Sequence, residues 1–152
     1  MVKIITTLAM LFNLGFAELN NVKYNKTLHS KREDPAVGYV RKMVLSKEVR
    51  DLIGMQIDPI TKVTNIYQDY NDRKNIIYEY TINTKESLNF KESLYDEYAI
   101  FFWEQNLPNI CAVKELKEAM SLGVGFKYIY LDSNKKTIAN MTIRKSDCEN
   151  LK

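Results

Sequence analysis

The chain has 152 residues, 45% of them hydrophobic and 27% charged, with 5 Gly and 3 Pro, a composition that excludes disorder, collagen-like repeats and low complexity. Its 22 Lys and Arg against 19 Asp and Glu leave a net charge of +3, too small an excess to imply nucleic acid or an anionic lipid surface as partner. A chain of this length supports one hydrophobic core rather than two.

Residues 1–17 carry a positive charge at Lys3, an apolar run over 4–16 and the triplet Gly15-Phe16-Ala17 just before Glu18. That combination predicts a cleaved secretory signal peptide. The run is shorter than the roughly 20 residues a membrane-spanning helix needs, and no second run of that length follows, so no membrane span is expected in the mature chain. Glu18 and Leu19 follow the triplet, where a lipoprotein would have a cysteine. Export places Cys111 and Cys148, the chain's two cysteines, in an oxidising compartment, where an isolated pair is expected to form a structural disulfide. Closing a loop of that length stabilises a fold by about 4 kcal/mol in the chain-entropy model. With no Cys-x-x-Cys spacing and no histidine near either cysteine, neither zinc binding nor thiol catalysis is expected.

Residues 18–33 are polar, with Asn20, Asn21, Asn25 and the basic pair Lys31-Arg32, and read as a loosely ordered arm ahead of a single domain over 34–152. Asp34 can cap free amides and Pro35 suits the first helical position, so a helix is predicted from about 35 to 53, with a break near Ser46. Val37, Val40, Met43 and Val44 recur along it at helical spacing, and Gly54 ends it. After Pro59 the pattern changes to β-branched and aromatic residues over 61–70, the turn cluster Asn71-Asp72-Arg73-Lys74, and alternation over 75–83, an antiparallel hairpin.

A second helix is predicted from Asn89, with Glu92 in capping-box position, through the aromatic stretch Tyr95 to Trp103, ending at Pro108. A shorter amphipathic helix over about 111–122 buries Val113, Leu116 and Met120 and ends at Gly123. Alternation then returns through Phe126, Tyr128 and Tyr130, the turn Asp132-Ser133-Asn134-Lys135, and Ala139, Met141 and Ile143, a second hairpin whose last strand delivers Cys148. The expected fold is α+β, a four-stranded and mainly antiparallel sheet from two hairpins with helices packed on one face, in the order α-β-β-α-α-β-β.

Two stretches resemble a known group. Met55-Gln56-Ile57-Asp58-Pro59-Ile60-Thr61-Lys62-Val63 leads into Ile77-Tyr78-Glu79-Tyr80-Thr81-Ile82, and a second series comprises Cys111, Leu116, Gly123-Val124, Tyr128-Ile129-Tyr130-Leu131-Asp132, Ile138, Ile143 and Asp147-Cys148. Over roughly 52–148 the chain resembles the quorum-sensing-regulated virulence factor family and related small exported bacterial proteins. The resemblance implies a periplasmic or secreted bacterial protein with a structural disulfide and an association with virulence, and it carries no catalytic residues across.

Chemistry-bearing patterns are sparse. His29, the only histidine, lies in the polar arm, away from any nucleophile. Asn71-Asp72 and Asp132-Ser133-Asn134 lack the ligand spacing of a calcium loop and read as turns. The glycines, at 15, 38, 54, 123 and 125, form no phosphate-binding loop. No catalytic residue, metal site or cofactor is therefore expected. Among 10 Tyr, 6 Phe and 1 Trp, the strand residues Tyr78, Tyr80, Tyr128 and Tyr130 are the candidates for a partner-binding aromatic surface, unless they fill the sheet–helix interface. The function expected is that of an exported, disulfide-stabilised interaction protein without catalytic activity, whose partner is an envelope or extracellular protein. The alternative is a carrier of a small molecule or peptide, with an apolar pocket between sheet and helix.

Overall fold

The computed structural model describes residues 33–84 and 91–151. The expected leader over 1–17, nearly all of the arm and the Asn89 cap lie outside them. No helix among the described residues is long and apolar enough to cross a membrane.

Asp34 caps the first helix, α1 (Pro35–Leu45), as its Oδ1 accepts from the Ala36 amide at 2.9 Å. Ser46 breaks the helical run: its amide still donates to Met43, while its hydroxyl caps α2 (Lys47–Asp51) by accepting from Val49 at 3.3 Å. Gly54, at φ 92°, turns the chain out of α2, a conformation that strains any residue with a Cβ. There follow β1 (Gln56–Asp58), β2 (Thr61–Gln68) and β3 (Asn75–Ile82). A single turn of 3₁₀ helix (Glu92–Leu94) leads into α3 (Tyr95–Ala112), then α4 (Lys114–Ser121), β4 (Gly125–Leu131), β5 (Thr137–Ile143) and α5 (Lys145–Glu149).

The described strands form one sheet in the order β1-β2-β3-β4-β5. This corrects the four-stranded expectation. β1 is too short to show alternation, yet it pairs with β2 because Asp58 accepts from the Ile60 and Thr61 amides, both at 2.8 Å, and folds the chain back. A second correction concerns the join between the hairpins. β3 and β4 are parallel neighbours, with Tyr78 opposite Tyr128 and Tyr80 opposite Tyr130. Parallel neighbours require a long crossover, and α3 and α4 lie in it.

Three boundaries also differ from expectation. α3 continues past Pro108 to Ala112, because the carbonyl that loses its partner belongs to exposed Glu104 and can be solvated. Downstream of the proline, Asn109 donates its side-chain amide to Gln105 at 2.8 Å. Cys111 therefore lies in the last turn of α3 rather than at the start of the short helix. Cys148 sits on α5, which starts where the Arg144 amide donates to Asp147 at 2.7 Å, and does not follow directly from a strand.

Along β3 and β4, Ile76, Tyr78, Tyr80, Ile82, Phe126, Tyr128 and Tyr130 share one face and are buried with Ala36, Val40 and Met43 of α1 and with Ile110, Leu116 and Met120 of α3 and α4. The opposite face carries the cross-strand row Asn65, Glu79, Ile129 and Asn140, all exposed or half-exposed. The helices thus pack on one side of an open sheet.

Candidate functional site

The four candidate tyrosines are buried, none more than 3% exposed. Tyr78 stacks on Tyr128 with centroids 5.5 Å apart, and Tyr80 on Tyr130 at 5.0 Å. Phe102 of α3 then stacks on Tyr130 at 4.4 Å and 7°. Parallel register causes this: directly opposed residues on one face bring like rings together, and α3 closes over them. The rings are core and offer no surface to a partner. Where Phe102 of α3 meets Tyr130, ring packing occupies the space between sheet and helix.

Polar side chains near this core hold elements in place. Asn106 donates to Phe102 O at 2.7 Å and to the Tyr130 hydroxyl at 3.2 Å. Asp132 accepts from the amides of Asn134 and Lys136, at 2.7 and 2.9 Å, and from the Tyr95 hydroxyl at 2.7 Å, so the β4–β5 turn is tied to the start of α3. Burial alone would push the Asp132 carboxyl up, but these donors and the Lys136 charge outweigh it and hold the group below the usual carboxylate range. Burial and the same carboxylate push Tyr95 up to about 12. Asp69 is likewise held low by backbone amides and by Lys127 at 3.5 Å, against the effect of burial. Each of these carboxylates serves a turn.

The disulfide Cys111–Cys148 is formed, with Cα atoms 5.4 Å apart and a sequence separation of 37. It staples the end of α3 to α5. Beside it lies a half-open cleft of about 270 Å³ lined by Lys117, Met120, Ser121, Lys145, Cys148 and Glu149. A second cleft, about 340 Å³, lies at the end of β2 between Tyr67, Tyr70 and Arg73. Among the described residues no group of three or more His, Cys, Asp or Glu could hold a metal ion.

The surface feature that stands out is α3. A helix packed on a sheet normally presents polar residues to water. On α3 the outward positions are Glu97, Ile100, Phe101, Glu104 and Pro108, spaced at three, four, seven and eleven residues and all exposed. Ile100 is 61% exposed and Phe101 42%. Phe101 meets Phe102 edge-on at 6.0 Å, so the exposed ring continues the aromatic stack outward to the surface. The sequence places Phe101 within the aromatic stretch of a predicted helix, with no surface role assigned to that stretch. The available signal was that apolar residues occur all around the helix, more than one buried stripe can hold.

No family model and no curated protein matches the chain. Its fold is similar to that of a secreted-protein candidate from Pseudomonas aeruginosa, with a TM-score of 0.60 and 12% identity, covering 80% of this chain and 99% of that one. It is also similar to the pilotin EpsS of the type II secretion system of Vibrio vulnificus, with a TM-score of 0.53 and 10% identity, covering 76% and 90%. At such identities the likeness is one of fold. The narrower resemblance to the quorum-sensing-regulated virulence factor family gains no support from these comparisons.

Proposed function

We propose that the chain is an exported, disulfide-stabilised bacterial protein without catalytic activity that acts in the periplasm or outside the cell by binding another protein through the outer face of α3. One observation carries the reading. Ile100 and Phe101 stand in water on a helix whose inner face and end are already fixed by the sheet and the disulfide. Covering such a patch with a partner is favourable in proportion to the apolar area removed from water, and a rigid helix loses little entropy in presenting it. The leader pattern at 1–17 supports export. The fold shared with a pilotin of a type II secretion system makes an envelope protein the first partner to seek.

The test is site-specific crosslinking in the producing cell. A photoreactive residue at position 101 is expected to capture one stoichiometric partner from the envelope or extracellular fraction, whereas the same residue at exposed position 118 on α4 captures none. Capture from 118 alone, or recovery of the chain in the cytoplasm still beginning at Met1, contradicts the proposal.

A further inference from the structure

The charges beside the exposed apolar residues define the chemistry of the partner. α3 contains Asp96, Glu97 and Glu104 and no Lys or Arg. Three other helices pair a carboxylate with a lysine one turn away: Lys47 with Asp51, Lys114 with Glu118 at 3.7 Å, and Lys145 with Glu149 at 3.4 Å. Among the described residues none of the three α3 carboxylates has an ion-pair partner. Glu97 precedes Ile100 and Phe101 by one helical turn and Glu104 follows by one, so both flank the apolar pair on the same face.

This arrangement discriminates between occupants. A second copy packed face to face would bring Glu97 and Glu104 against their own counterparts, and an anionic lipid surface would meet the same repulsion. A segment with cations beside its apolar side chains would match both features at once. We infer that the outer face of α3 binds a cationic amphipathic segment of a partner protein, with apolar side chains on Ile100 and Phe101 and Lys or Arg against Glu97 and Glu104. This rests on the reading of α3 as the interface and specifies the chemistry of what docks there.

Three short helical peptides test it, sharing one apolar face and carrying Lys, Gln or Glu at the polar positions. Trp103, the single tryptophan, lies half-buried on the same helix and reports binding by its fluorescence. The Lys peptide is expected to bind, the Gln peptide about tenfold more weakly and the Glu peptide not at all. Phe101→Ser should weaken binding of the Lys peptide by about tenfold or more. The double variant Glu97→Gln/Glu104→Gln should weaken it by about tenfold and remove most of its salt dependence, while the control Asp51→Asn/Glu149→Gln, with the same change of net charge, leaves it unchanged. The charge variants should keep the wild-type melting temperature, because every side chain they alter is exposed, while Phe101→Ser gives up the edge contact with Phe102 and should lower it yet stay folded by circular dichroism at the temperature of the binding assay.

Equal binding of the Gln and Lys peptides, still sensitive to Phe101→Ser, overturns the cationic specificity and leaves the interface reading standing. Equal weakening by the control variant, insensitivity to Phe101→Ser, or no binding of any peptide also overturns the inference. Self-association in sedimentation that Phe101→Ser abolishes assigns the face to a second copy and overturns it as well.

Discussion

Asp132 shows how a single side chain can connect elements far apart in sequence. It closes its own turn through two amides and reaches α3 through Tyr95. Its carboxyl is held below its ordinary value of 3.8, so the folded state gains stability from the ionised form above that value and loses it as pH falls through the depressed one. Tyr95→Phe removes one donor to the charged group. The variant is expected to lose about 1.5–3 kcal/mol at neutral pH by denaturant titration and to begin acid unfolding at higher pH than the wild type. An unchanged acid transition would show that the two amides and Lys136 suffice. At this scale the sequence was informative wherever the chemistry is local. Asp34-Pro35, Gly54 and Gly123 act as their residue types dictate, with both glycines at positive φ. The positions of Tyr78, Tyr80, Tyr128 and Tyr130 were legible as one face of two strands, but their burial depended on which strands become neighbours.

Among elements, those with enough residues to show a period were read with little error, as α1 and the two hairpins illustrate. β1 and α5 were missed because segments of 3 and 5 residues carry almost no period. The parallel join of β3 to β4 was missed for a different reason. Both hairpins are specified by their own turns, while the pairing between them is specified only by long-range burial. α3 extends the same point, since its outward Ile100 and Phe101 fit the core pattern by type and are excluded from it by the geometry of the sheet. The disulfide acts at this scale by fixing α5 against the end of α3. Replacing both cysteines, Cys111→Ser/Cys148→Ser, is expected to reduce stability by about 2–4 kcal/mol. Amide exchange should accelerate first in α5 and the last turn of α3, because the sheet keeps its own ladder. Uniform acceleration across β3 and β4 would instead make the bridge part of the cooperative core.

Across the whole molecule, the stacked tyrosines couple folding to alkaline pH. Burial pushes Tyr78, Tyr80, Tyr128 and Tyr130 far above the ordinary value of 10.0, and burial with nearby carboxylates raises Tyr39 to about 12. A raised value means that the folded state keeps protons the unfolded state releases. The tyrosines' contribution to stability is therefore constant below pH 10 and falls above it. Each retained proton contributes about 1.4 kcal/mol per pH unit, so the four core rings together give a slope of roughly 5 kcal/mol per unit. For a domain stable by about 5–15 kcal/mol, unfolding follows within about one to three units above pH 10. The measurement is a pH titration that records tyrosinate absorbance and far-ultraviolet circular dichroism together. The core rings should ionise in a single steep step that coincides with loss of the sheet signal, because a ring closed in by α3 can release its proton only when the sheet opens. If all the tyrosines ionise gradually around pH 10 while the sheet signal persists, water reaches Tyr128 and its neighbours without unfolding. The rings of β3 and β4 would then be open to partners after all, as a second candidate surface beside the outer face of α3.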